Sequence, residues 1–304
     1  MSETLRSRPA SAPARPSGPL PAGPVGRRGP GRRMGRFLLR RPGLVLSLLF
    51  VSCALLAAFW PGLFTDRDPL RAVPAEILRP PGARHWFGTD EMGRDLYARV
   101  VHGASLSLKG TVIAVAVAFV VGSALGLVAG FAGGWTEGAL MRCVDVLLAV
   151  PGLFLSLAVV TALGPGTVQI AIAVGFPGVP GFARVMRAEV LRVRHTPYVE
   201  AARVSGARWW AVLGRHVIPN AAGPVLVLAA LDLGTAVLAV SSLSFLGYGA
   251  PPPAPEWGTL IADGRDYLAD AWWVTTLSGL TVAALVLSVN RISRALDGER
   301  TDDR

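Results

Sequence analysis

Six apolar runs, at residues 44–60, 109–132, 143–163, 167–186, 221–246 and 272–290, dominate this 304-residue chain and decide what it can fold into. A helix needs ~20 mostly apolar residues to cross a bilayer, and six such spans leave ample chain for loops. Two soluble domains are excluded by composition: 52% of residues are hydrophobic and only 16% charged, against about a quarter charged in soluble proteins. The mean hydropathy of +0.47 agrees. Cys53 and Cys143 lie in or beside apolar runs and are too few for a disulfide framework or a zinc site. The net charge of +10 is almost all arginine, Lys109 being the single lysine. These arginines gather at one end and in particular loops, which is a topology signal rather than a nucleic-acid footprint.

Residues 1–43 hold ten arginines among Pro, Gly and Ser and are expected to form a disordered cytoplasmic tail. Arg32-Arg33 and the "VSC" at 51–53 faintly resemble export or lipoprotein signals. The strongly apolar run 44–60 has no small-residue cleavage site after it and more membrane follows, so it reads as a first span. The loop 184–215 carries seven arginines, whereas 247–271 has Arg265 against Glu256, Asp263, Asp266 and Asp270. Placing residue 1 inside and alternating across six spans puts 184–215 and the 291–304 tail inside, and 61–108 and 247–271 outside. Charge bias and parity therefore agree on six.

Within the spans, Gly122, Gly126 and Gly130 share one helical face and predict close helix packing. Pro151 and Pro224 predict kinks in the third and fifth spans. The fourth, interrupted by Pro177, Gly178, Pro180 and Gly181, reads as a pathway-lining span, a span crowded by neighbours, or one kinked near its end. Asp145 follows Arg142 by three residues, which predicts a local salt bridge. Asp232 stands in mid-span with no partner in sequence; it either lines a polar pathway or bonds a neighbouring helix.

Catalytic signatures are sparse. No Gly-Lys-Ser/Thr phosphate loop is present, so any ATP must be bound by another subunit. His85, His102, His195 and His216 lack metal-ligand spacing. Asp90, Glu91 and Asp95 read as a solvated amphipathic helix rather than a metal cluster. No catalytic residue, metal or cofactor is expected. The cytoplasmic loop 187–219 is the most informative segment. Thr196 can cap a helix that Pro197 begins. Ala201 and Ala202 give it a low surface, Gly206 permits a break, and a second short helix bears Trp209 and Trp210. Pro219 starts the next span. A short, charged, alanine-faced helix between two spans predicts docking of a cytoplasmic partner in a groove, and the competing interpretation is a helix lying on the bilayer.

This loop resembles the EAA loop of binding-protein-dependent ABC importer permeases. Glu200, Ala201, Ala202, Gly206 and Pro219 match its pattern, while His216 and Ile218 stand where Ile and Leu are usual. Two more stretches, "HWFGTDEMGRDLYARVVHGASLSL" (85–108) and "FLGYGAPPPAPEWGTLIADGRDYLADAWW" (245–273), resemble the second permease subunit of dipeptide, oligopeptide and nickel importers. Ala98 and Ala104 depart from that pattern, and the carboxyl end differs after Arg291.

The resemblance covers about residues 44–297. It implies an all-α membrane protein of six transmembrane helices with the type I ABC importer permease fold and both termini cytoplasmic, in a prokaryotic plasma membrane. The implied architecture is a first span at 44–60, an outer loop 61–108 with an amphipathic helix, and a five-span core over 109–290. Implied partners are a homologous second permease, two ATP-binding cassette subunits and an extracytoplasmic binding protein, besides membrane lipid. Short peptides are the implied cargo, with nickel second. A stand-alone ion-coupled transporter is the alternative from another class, and it would be expected to show an internal repeat and several intramembrane carboxylates.

Overall fold

The computed structural model describes residues 42–302, with side chains through 295, so the end of the 291–304 tail and all of the expected 1–43 tail but Pro42 and Gly43 lie outside the described residues, and those two open the first helix instead. Among these residues the chain is helical, and its one β-bridge joins Thr89 and Asp95. The long elements are α1 (Pro42–Phe59), α2 (Leu96–Ala132), α3 (Gly134–Ala149), α4 (Gly152–Leu163) and α5 (Thr167–Arg194). They continue with α6 (Pro197–Val204), α7 (Trp209–Val212), α8 (Ile218–Leu243), α9 (Trp257–Gly264) and α10 (Trp272–Asp302). One π-turn, Leu213–Val217, leads into α8, and another, Ser244–Tyr248, leaves it.

Five of these helices are long and apolar enough to cross a membrane, and a sixth crossing depends on whether α3 and α4, bent 96° to each other, count as one. The packing of α2 on α5 decides it. Gly110 faces Thr167, Gly122 faces Val179 and Gly130 faces Val190, so the two helices run parallel. The chain leaving α2 at Gly133 must therefore return the length of the bundle before Thr167. Gly166 N–H donates to the Tyr248 carbonyl (3.0 Å) at the far end, beyond α8. The bent pair makes that return, with its corner at Val150 and Pro151. The kink expected at Pro151 is real, but the third span begins at Gly134 and is broken rather than continuous over 143–163.

The glycine face of α2 sets this parallel contact. A Cβ on Gly122 would sit 2.5 Å from the Val179 carbonyl oxygen, and one on Gly130 would lie 2.9 Å from Val190 Cβ. Only hydrogen fits there, and the close backbones gain dispersion energy that lipid would otherwise supply. Gly175 and Gly178 of α5 reciprocate against Ala114 and Ala118. Pro177 and Pro180 accordingly do not break α5, which is helical from Thr167 to Arg194. The span is crowded by a neighbour, which supports the backbone where proline removes its donors. Pro224 likewise sits inside α8. Beyond α5, α8 and α10 complete the bundle, with Ser293 Oγ donating to the Ala230 carbonyl at 2.7 Å.

The second helix begins at Leu96, thirteen residues before the expected apolar run, so its first turns stand beyond that run as the wall of a folded cap.

Candidate functional site

At the arginine-rich end, α6 is a two-turn helix held between α5 and α8. Pro197 begins it as expected. Thr196 occupies the cap position, but its hydroxyl donates backwards to the Val193 carbonyl (2.6 Å) instead of capping the helix. The root of the element is Val199, 0% exposed, in a cluster with Val190 and Val193 of α5, Val212 and Val217 of the following turns, and Ala221 and Val225 of α8. The opposite face is open. Glu200 and Ala201 are exposed and Ala202 is half-buried. Glu200 makes no ion pair among the described residues, so the sequence motif presents its charged and small side chains outward.

The helix ends where Ser205 N–H and Ala207 N–H return to the carbonyls of Ala201 (2.9 Å) and Ala202 (3.1 Å). Gly206 takes a φ of +80°, a left-handed conformation that side chains resist. The reversal delivers Trp209 and Trp210, packed edge to face at 5.6 Å between ring centroids. Arg203 lies 5.7 Å above the Phe131 ring and Arg208 5.2 Å above Trp210. Pro219 occupies the first turn of α8. Sequence reasoning passed over Val204, which is 89% exposed at the tip of α6. Among the described residues almost nothing covers this valine. Its signal was its place on the face opposite Val199. Tyr198 and Trp135 are exposed at this end too.

Asp145 does not pair with Arg142. Its carboxylate accepts from Arg184 of α5 at 2.6 Å, both side chains being about half exposed. Asp232 is half-buried on α8, where Thr235 Oγ1 donates to its Oδ1 at 2.7 Å. Its Oδ2 faces Gly178 of α5, 3.7 Å from where a Cβ would stand. The acid thus meets the Pro/Gly segment of α5 while hydrogen-bonding within its own helix.

The opposite end corrects the reading of Asp90, Glu91 and Asp95 as a solvated helix. Asp90 is 1% exposed and lies in a turn closed by Gly93, whose φ is +73°. It accepts from the Arg94 amide (2.9 Å) and Arg94 Nε (2.7 Å), and Arg99 Nε lies 3.3 Å away. Arg94 also donates to Glu91 at 2.7 Å. Asp95 caps α2 through the Ala98 amide (2.8 Å) and receives Arg67 (2.5 Å). Burial holds the Glu91 carboxyl above its ordinary range, and the Asp90 charge adds to this. Asp263, across the same cleft, is raised by desolvation, with Arg99 and Arg94 pulling it back. Pattern alone misread this group because partner geometry, not spacing, decides whether carboxylates are buried. Among the described residues no cluster of His, Cys, Asp and Glu has the makings of a metal site.

The second outer motif locks onto the first. Trp257 Nε1 donates to the Val100 carbonyl (2.8 Å) and its amide to Ser107 Oγ (3.1 Å). Trp273 Nε1 donates to the Thr89 carbonyl at 3.1 Å. Glu256, fully buried, accepts from Ser244 Oγ and the Ala250 amide, each at 2.8 Å.

Residues 122–301 match the profile of the family described as binding-protein-dependent transport system inner membrane component. The chain belongs to this family. The permease is 34% identical over 281 residues to a dipeptide transport system permease protein of Alkalihalophilus pseudofirmus, covering 92% of each chain. It is 40% identical over 260 residues to a di/tripeptide transport system permease protein of Pseudomonas aeruginosa, covering 84% of each. A glutathione transport system permease protein of Pectobacterium atrosepticum is 35% identical over 270 residues, 88% of this chain and 90% of that one. Among solved structures, an amino acid ABC transporter matches with a TM-score of 0.53 at 15% identity, over 67% of this permease and 94% of that chain. The fold is therefore the helical one of type I ABC importer permeases, and the permease is a multi-pass protein of the bacterial plasma membrane.

Proposed function

We propose that the permease moves short peptides inward as one of two pore-forming subunits of an ATP-driven importer, and that α6 is where ATPase subunits grip it. The observation that carries this reading is the two-sidedness of α6. Val199 is sunk in a cluster shared by α5 and α8, while Glu200, Ala201 and Val204 point out. A push on the outer face must pass through the valine root to both spans, because a close-packed core transmits displacement instead of absorbing it. ATP-driven closure of two cassette subunits would then swing the spans between inward-open and outward-open states as a rigid-body rotation. A homologous second permease would complete the pore, and an extracytoplasmic binding protein would deliver cargo to the cap at 61–108 and 247–271. Asp232, beside the Pro/Gly segment of α5, is assigned to the pathway. Peptide rather than nickel is favoured by the names of the relatives. The permease itself catalyses nothing in this scheme, and the cassettes hydrolyse ATP.

Glu200→Arg tests the grip. Membrane insertion should be normal, while co-purification with the cassette subunits weakens and uptake of a labelled dipeptide falls to background. Wild-type uptake in that variant, or dipeptide transport by this chain alone in lipid vesicles, would refute the reading.

A further inference from the structure

Where α1 begins, it and α10 enclose an open groove of ≈ 860 Å³. Leu44, Leu46, Phe50 and Leu287 form its apolar wall, and Arg291 and Arg294 stand at its rim. The Arg291 guanidinium lies against Gly43 in the first turn of α1. A cation is badly placed there: the free N–H groups at a helix start carry partial positive charge, and α1 has no acidic residue in its first turn. Among the described residues neither arginine meets a carboxylate, and Arg294 Nε reaches only the Asn290 carbonyl, at 3.4 Å. Like charges converge on one rim, and an anion would relieve them. Since both helices are spans, the wall below the rim faces hydrocarbon.

We propose that this groove is a binding site for one anionic phospholipid of the cytoplasmic leaflet, its phosphate held by Arg291 and Arg294 and an acyl chain laid along Leu44, Phe50 and Leu287. The arginine-rich segment before α1 is a poor occupant because its charge matches the rim. A zwitterionic lipid brings no net charge to balance the arginines, and free phosphate leaves the apolar wall empty. Basic pockets between spans on this side of a membrane suit anionic headgroups, with each arginine adding roughly a factor of five in affinity.

The test uses the assembled transporter in mild detergent, titrated with phosphatidylglycerol or phosphatidylcholine and read by native mass spectrometry. One phosphatidylglycerol per permease should bind in preference to phosphatidylcholine and resist excess inorganic phosphate. Arg291→Gln with Arg294→Gln should weaken it roughly thirtyfold, while the double lysine variant keeps most of the binding. Ala284→Trp, which fills the groove and leaves the charges in place, should also expel the lipid. Equal binding of the two lipids, displacement by phosphate, or unchanged affinity in the glutamine pair would overturn the proposal. If the glutamine pair fails to assemble, Ala284→Trp decides alone: loss of lipid supports the site and retention refutes it.

Discussion

The cap built from residues 61–108 and 247–271 and the loop at 187–219 are both charged, aromatic-bearing connections between spans, and they are built in opposite senses. At the centre of the cap the charges turn inward. Asp90 gathers Arg94 and Arg99, Asp95 caps α2 while receiving Arg67, and Trp257 and Trp273 hydrogen-bond to backbone carbonyls. In the loop at 187–219 a single buried valine roots α6, and Glu200, Val204, Trp209 and Trp210 are left exposed. Charged loops of similar composition can therefore be a closed structural plate or an open contact surface. Partner satisfaction tells them apart: groups that have found partners inside the chain are structural, and those without are the ones proposed above to meet another molecule.

Breaking the plate should have the largest effect. Asp90→Ala takes the paired carboxylate from buried Arg99 and leaves buried Arg94 with Glu91 alone, and it is expected to cost about 3–5 kcal/mol, as removing one partner of a buried pair does. Thermal unfolding of the purified complex would measure it, and a loss under about 1 kcal/mol, the scale of an exposed pair, would show that the cap is not dry. Val199→Ala attacks the root of α6. It should cost roughly 2 kcal/mol and reduce uptake more than cassette binding, because the outer face is untouched while its link to α5 and α8 loosens. Val204→Ser sharpens the contrast, with stability unchanged within about 0.5 kcal/mol and co-purification with cassette subunits clearly weaker. If the serine variant binds as well as wild type, the exposed valine is not a contact.

The smallest expected effect is a pH slope confined to the cap. Glu91 and Asp263 are held above the ordinary carboxylate range, chiefly by desolvation. The folded cap therefore keeps these protons more tightly than the unfolded chain does. Their contribution to stability is full below about pH 4 and is lost as pH rises through the elevated folded values. Glu91→Gln with Asp263→Asn should flatten this decline in a pH series of unfolding temperatures, whereas Glu200→Gln should not alter it.

The apolar runs identified the spans because a bilayer imposes one length and one polarity on anything that crosses it. Gly122, Gly126 and Gly130 were legible for a related reason, since only small residues repeat on a face where backbones touch. The outline of the loop was legible in part: Pro197 begins its helix and Gly206 reverses the chain, but Pro219 starts nothing, because helical backbone runs unbroken from Trp209 through the π-turn into α8. Sequence reasoning failed where a residue's partner is remote. Asp145 has Arg142 within a helical turn yet bonds Arg184, which α5 brings alongside. Pro177 and Pro180 look like breakers, but α2 packs against Gly175 and Gly178 beside them and the helix carries through.

What the sequence determined alone is the menu of elements and the turn pattern of the loop at 196–206, because those follow from chain-local polarity and backbone stereochemistry. The tertiary structure decided which charges are satisfied, that α2 and α5 run parallel so the bent α3–α4 pair must cross back, and which side of α6 faces out. Those facts depend on contacts between residues far apart in the chain, and spacing along a single strand of sequence carries no direct record of them.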